Sequence, residues 1–398
     1  MFYVVLMGVY VGVGQIIARF IPFYREHTDS SPETRYATLD GLRGLLAFGV
    51  FFHHARLTWQ HYNTGKWEAP EGGLYNALGP VSVAFFFAIT AFLFWGKAIA
   101  GGRKVEVLRL MENRVRRIAP MYWCSLAMIG LVLLSIARFQ FYPDFWRVAW
   151  RAVPSLFLGL GGLPDLTINS VPVKMVNAWI FWTLRWEWAF YFSLPVLAIV
   201  LRRRWAFVAF LGSLLTAGLI FPIKPLAQIS AFLLGMCAAE FAAARGLLSA
   251  LKSWTVSLGS IALVMFAPFA ISTSGNWTAL GTLFLAVPFL AIVCGNSVFG
   301  LLLARGTKVL GLISYSVYLV HGIFLFVTMR AVNQWVPIKG MTASLYWCIA
   351  AASGLLTLLV SALTYRWIEY PWLHRKVARE ALAADRLVKV APGKIVHG

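Results

Sequence analysis

The chain has 398 residues, of which 60% are hydrophobic and only 13% charged. A soluble globular domain carries about 25% charged residues, so this composition excludes an ordinary water-soluble protein and makes the bilayer the natural solvent. The net charge of +20 sits in short loops between apolar stretches, a positive-inside pattern; no nucleic-acid motif accompanies it.

A helix needs about 20 apolar residues to cross the hydrocarbon core. Taken along the chain, the apolar runs predict spans near 2–22, 44–60, 79–96, 118–138, 179–200, 205–222, 226–244, 253–271, 278–296, 308–330 and 343–366. The long uncharged run 253–304 is divided at Ser272-Thr273-Ser274-Gly275-Asn276. Most of the 35 Lys and Arg then fall on one face, in the segments holding Arg43, Lys97 to Arg117, Arg202 to Arg204, Arg305 and the C-terminal tail. That asymmetry predicts a cytoplasmic C-terminus and an external N-terminus. The apolar stretch Ala152 to Leu163 is too short to span and is expected to be a re-entrant or surface helix in an outer segment, 139–178. A second outer loop covers 61–78. Both are rich in aromatics, among them Trp67, Phe141, Tyr142, Phe145, Trp146 and Trp150, which suit interface anchoring or sugar stacking. The segment Phe2 to Ala18 lacks a basic n-region and reads as a retained span over 1–24. Four cysteines lie singly in apolar stretches, with neither disulfide nor metal spacing, and no metal site is expected.

Ionisable residues inside spans are expensive and are functional candidates. Arg43 and His54 are eleven residues apart, about three helical turns, so both point along one stripe about 16 Å apart. His54 is expected near the midplane, where a neutral imidazole can accept a proton; a hydrogen-bonded structural role is the alternative. His53 is expected to point elsewhere. Arg114, Arg116 and Arg117 stand before the fourth span; they suit lipid headgroups or a phosphate clamp, and Arg114 and Arg117 share a helix face. Glu187 lies within its span and suits orienting a base, binding a hydroxyl or relaying a proton, or a structural tie. His321 is again expected at the midplane. Glu369 is expected at an interfacial helix end, held by an ion pair beside Arg366.

These blocks, in this order, resemble acyltransferase family 3 of bacterial inner-membrane proteins, which includes O-antigen and exopolysaccharide O-acetyltransferases. Leu39 to His54 looks like the family's Arg-x10-His motif, and Phe85 to Leu93 like its second-span signature. Arg114-x-x-Arg117 with Pro120 looks like its Arg-x-x-Arg motif, Trp182 to Tyr191 like its Glu-containing block, and Ser314-Tyr315-Ser316 with His321 like its ninth-span motif. Thr90-Ala91 stands where Ser-Gly is common, and Trp188 where a second Glu is common. The resemblance covers about residues 36–375 and leaves 376–398 as a basic cytoplasmic tail. It implies an all-α polytopic membrane protein: a ten-helix acyltransferase core plus one extra N-terminal transmembrane helix. The implied donor is a cytoplasmic acyl-CoA, acetyl-CoA first, used as co-substrate with no bound cofactor. The implied acceptor is a glycan or lipid-linked sugar outside. His54 and Glu187 would be catalytic, with His54 as general base or acyl carrier. Arg43, Arg114 and Arg117 would bind the donor, and Tyr315, Ser316 and His321 would support the site. A transporter of a small solute or glycan is the competing class.

Overall fold

A computed structural model of the chain describes residues 2–29, 36–68, 74–138, 150–203, 206–207, 210, 213, 224–245, 248–266 and 279–374. The expected span 205–222 lies almost wholly outside them. So do the break at Ser272 to Asn276, the aromatics Phe141, Tyr142, Phe145 and Trp146, and the basic tail.

The chain is an all-α polytopic membrane protein. Its main helices are α1 (Phe2–Phe20), α2 (Pro22–Asp29), α3 (Ala37–Thr64), α4 (Leu74–Ala100), α5 (Val107–Ile136), a single turn α6 (Val173–Val176), α7 (Trp182–Val200), α8 (Lys224–Arg245), α9 (Trp254–Phe266), α10 (Ala279–Val293), α11 (Arg305–Leu312), α12 (Ser314–Trp335) and α13 (Ala343–Thr364). Among the described residues the strands are confined to a two-residue ladder pairing Thr167 with Pro172 and Ile168 with Val171.

Among those residues, six helices are both long and apolar enough to cross a membrane: α1, α4, α5, α8, α12 and α13 with its continuation. Two further expected spans, α3 and α7, are of comparable length but carry Asp40, Arg43, Arg56 and three histidines, or Arg185 and Glu187. The expected spans near 253–271 and 278–296 appear as shorter helices of 13 and 15 residues.

Helix boundaries shift in a way that moves the arginines inward. α3 begins at Ala37 rather than near residue 44, and α5 at Val107 rather than 118. Arg43, Arg114 and Arg117 therefore lie within helices, well past their first turns. The expected single span 308–330 is two helices, α11 and α12, divided at Ile313. The last helix passes into a π-helical turn over Tyr365–Glu369. A π-turn adds a residue to the helical circuit and rotates the residues beyond it; here it turns Glu369 into the protein, where the residue is 2% exposed.

Among the described residues, two hydrophobic clusters form the interior. One joins α4, α5, α7, α8 and α10, with Trp95, Phe87, Phe92, Tyr122 and Tyr191 at its centre. The other joins α1, α3, α11 and α13 around Tyr10, Phe48, Phe51, Phe52 and Tyr346. α3 contributes to both, as it packs on α4 on one side and α11 and α12 on the other. Lipid tails are as apolar as a leucine-rich helix, so close packing and hydrogen bonds, rather than hydrophobicity, hold such helices together.

α1 shows this clearly. Its Gly14 lies against Gly306 at the start of α11, where a Cβ on Gly14 would stand 2.6 Å from the Gly306 carbonyl oxygen. The Gly306 amide donates to Gln15 Oε1 at 3.0 Å, and Tyr10 donates to the Ala351 carbonyl at 3.2 Å. In α2, Tyr24 donates to the Ala362 carbonyl at 2.6 Å, and Asp29 pairs with Arg305 at 2.9 Å. The N-terminal helices are thus bonded into the bundle.

The stretch Ala152 to Leu163 does not form the expected helix. It contains one 3-10 turn, Val153–Leu156, and is strapped to α5 and α7. Tyr122 donates to the Ser155 carbonyl at 2.7 Å, Trp188 Nε1 to Leu158 at 2.9 Å, and Arg185 to Gly161 at 2.9 Å. Glycines at 159, 161 and 162 leave too little side chain for a packed helix, and the carbonyls of Ser155, Leu158 and Gly161 are capped by α5 and α7 instead.

Candidate active site

Two cavities meet in the middle of the bundle. The first, about 210 Å³, is lined by His53, His54, Gly79, Val83, Phe87, Trp182, Gln228 and Tyr318, among others. The second, about 100 Å³, is lined by Arg43, Arg114, Arg117, Thr183, Glu187, Tyr191, Ser314, Tyr315 and apolar neighbours. Val83, Phe87 and Tyr318 border both. One cavity thus holds the imidazoles and the other the arginines, with a thin shared wall between them.

His54 and His321 come together from α3 and α12. His54 Nδ1 lies 2.9 Å from His321 Nε2, with the rings stacked at a centroid distance of 5.1 Å. The partners fix the proton positions. His321 Nδ1 faces two backbone carbonyls, Tyr318 at 2.8 Å and Val317 at 3.2 Å. A carbonyl only accepts, so His321 Nδ1 carries the proton and its Nε2 is the acceptor of the neutral ring. His54 Nδ1–H therefore donates to His321, which leaves the lone pair of His54 on Nε2. The pair fixes the tautomer of His54 as a carboxylate does in a Ser-His-Asp triad, with an imidazole in that place.

His53 differs from the sequence expectation. It lines the same cavity as His54, and the two rings are 5.2 Å apart. Its Nδ1 donates to the Tyr75 carbonyl at 3.0 Å. Neighbouring helix positions diverge by about 100°, but the cavity is wide enough to take in both directions.

The arginines divide by partner. Arg117 pairs with Glu369 at 3.1 Å, and Glu369 also accepts from Ser316. The ion pair expected at Glu369 is present, but with Arg117 of α5 instead of Arg366. Arg116 pairs with Glu112 at 2.7 Å on the helix flank. Arg114 lies over the rings of Phe94 at 4.4 Å and Tyr191 at 5.6 Å, and its Nε is buried without a hydrogen-bond partner among the described residues. A guanidinium that stacks on aromatic faces still presents N–H groups in its plane, and here the unpartnered Nε–H is available to an anion.

Glu187 accepts from Tyr191 at 2.9 Å and lines the arginine cavity rather than the histidine one. Tyr315 donates to the Ile118 carbonyl at 3.0 Å, beneath Arg117 at 5.5 Å. In the shared wall, the hydroxyls of Tyr318 and Thr183 are 2.7 Å apart. Thr183, Tyr318, Gln228 and Glu369 complete the site, and sequence reasoning missed their part in it. Tyr318 had one usable signal: it lies three residues before His321, on the same helix face.

The acyltransferase-domain family matches residues 36–366. Among curated proteins, the exopolysaccharide production protein ExoZ of Rhizobium meliloti (strain 1021) is 26% identical over 330 residues, covering 79% of this chain and 96% of ExoZ. No solved structure matches the chain. The family match spans both cavities and every residue around them except Glu369, and the chain belongs to this acyltransferase family.

Proposed function

We propose that the protein moves an acyl group, acetyl first, from a cytoplasmic acyl-CoA to a hydroxyl of a cell-envelope or extracellular sugar. The observation that carries this reading is the His54–His321 pair, which leaves one imidazole lone pair in a cavity that shares a wall with an arginine-lined one. Arg43 and Arg114 suit the phosphates of CoA, because guanidinium binds phosphate through parallel N–H bonds. Arg117, neutralised by Glu369, holds the cavity's shape.

In this reading the thioester lies at the wall formed by Val83, Phe87 and Tyr318. His54 Nε2 takes the proton of the sugar hydroxyl as its oxygen attacks the acyl carbon. The carbon–sulfur bond breaks, and the departing sulfur takes the proton from the His54 imidazolium, giving the ester and free CoA. His321 accepts from His54 throughout and holds the ring in place. Glu187 lies too much among the arginines to orient His54; its chemistry fits ordering Arg43 and Arg114. A bacterial inner membrane with the arginine end facing the cytoplasm is the arrangement this requires, and the basic loops of the sequence support it.

The test uses purified protein in detergent, labelled acetyl-CoA and extracted envelope glycans, with products read by mass spectrometry. Acetylated glycan that depends on His54 is the expected result. A glycan or solute flux that continues without any CoA ester, with no acylated product, would favour a transporter.

A further inference from the structure

The His54 cavity contains more hydrogen-bonding groups than a single proton transfer needs. His53 enters it beside Gly79. A Cβ on Gly79 would lie 2.5 Å from the His53 ring, so the glycine is what admits the imidazole. Because His53 Nδ1 donates to the Tyr75 carbonyl, its Nε2 is the acceptor of the neutral ring. The Gln228 amide oxygen, from α8, is buried and has no hydrogen-bond partner among the described residues. A buried polar atom without a partner is costly and marks a place where a ligand group or water belongs.

Among the described residues, three groups in this cavity therefore offer lone pairs that no protein donor takes up, His54 Nε2, His53 Nε2 and the Gln228 oxygen, while the Tyr318 hydroxyl is engaged with Thr183 and the Ile180 carbonyl. Among the described residues, no Asp, Glu, Lys or Arg lines it. Acceptors without countercharge suit a neutral ligand rich in O–H donors. The remaining wall is apolar and aromatic, from Val83, Phe87 and Trp182, which suits the C–H faces of a sugar ring. An acidic sugar or a phosphate would find no cation among these lining residues.

From this juxtaposition we infer that the cavity is an acceptor subsite for a neutral sugar residue that presents two hydroxyls. His54 takes the proton of the reacting hydroxyl, and His53 accepts a hydrogen bond from a second hydroxyl of the same ring. His53 is then a positioning residue that selects which hydroxyl meets the base. The inference rests on the acyl-transfer reading for the identity of the reacting group, but the subsite itself does not require it.

The experiment compares a methyl glycoside acceptor with its monodeoxy analogues, in the wild-type protein and in His53→Phe and His53→Gln. Losing one hydrogen bond to a buried acceptor lowers kcat/KM by about tenfold. The wild-type protein is expected to discriminate by that factor against one deoxy analogue, mainly through KM. In His53→Phe the ratio is expected to fall close to one, and in His53→Gln, which keeps an acceptor near Nε2, it is expected to recover in part. The ratio does not depend on the fraction of folded protein, so partial misfolding of a variant leaves it readable. An unchanged ratio in both variants overturns the subsite. If no CoA ester acylates any sugar, the transferase reading fails, and the same ratio is read as binding constants from the fluorescence of Trp182 and its neighbours. Loss of discrimination in His53→Phe then still supports the subsite, and its persistence overturns it. Tighter binding of glucuronate than of the neutral glycoside also overturns it.

Discussion

Arg117 of α5 and Glu369 of the π-turn meet at 3.1 Å, and their side chains are 17% and 1% exposed. The contact closes the arginine end of the bundle by joining the middle of the chain to the end of its last helix. Removing one partner of a buried pair leaves a charge without compensation, at a cost of about 3–5 kcal/mol. Glu369→Ala is expected to destabilise the protein by about that amount, and Arg117→Met with Glu369→Met by much less. Thermal unfolding in detergent of the single and double variants checks this; additive losses in the double variant would show that the pair does not act as a unit.

His54→Ala is expected to reduce acyl transfer by about 10²–10⁴-fold, the usual contribution of a general base. His321→Gln keeps an acceptor for His54 Nδ1–H and is expected to retain more activity than His321→Ala. Initial rates with labelled acetyl-CoA give both comparisons. Equal activity of the two His321 variants would mean that His321 does not set the His54 tautomer.

Filling the wall between the cavities separates donor binding from transfer. Val83→Phe adds volume where both cavities meet and is expected to lower transfer by up to about 100-fold, the loss that goes with displacing reacting groups by about 1 Å. CoA binding at the arginine cavity is expected to change little. Calorimetry of CoA binding beside turnover tests this, and turnover at the wild-type rate would remove the wall from the reaction path.

Arg114→Lys retains the charge but loses the planar, stacked fork. The KM for acetyl-CoA is expected to rise about tenfold with a smaller change in kcat, as for the loss of a binding contact worth about 1.4 kcal/mol. A fall in kcat at constant KM would instead place Arg114 among the groups acting only in the transition state.

Much of this is visible in the sequence, for identifiable reasons. The spans with continuous apolar character, α4, α5, α8, α12 and α13, are legible because the bilayer imposes a length and a polarity that the chain displays directly. Arg43, His54, Arg114, Arg117, Glu187 and His321 stand out because a buried charge is rare in such a chain. The starts of α3 and α5 lie about two to three turns earlier than polarity suggests, because charged residues inside a protein interior look, in sequence, like loop residues. The inward turn of Glu369 depends on a π-helical register that no local residue announces. The place of His53 depends on a glycine on another helix, and the pairing of His54 with His321 on contacts across most of the chain.

The seam between Gly14 and Gly306 has a consequence for biogenesis. α1 leaves the ribosome long before its binding partner, so it must wait in the membrane, its small-residue groove open, until α11 has been made. During that interval Gln15 and Tyr10 lack the Gly306 amide and the Ala351 carbonyl that later satisfy them. Loss of α1 would remove that seam together with both of its hydrogen bonds.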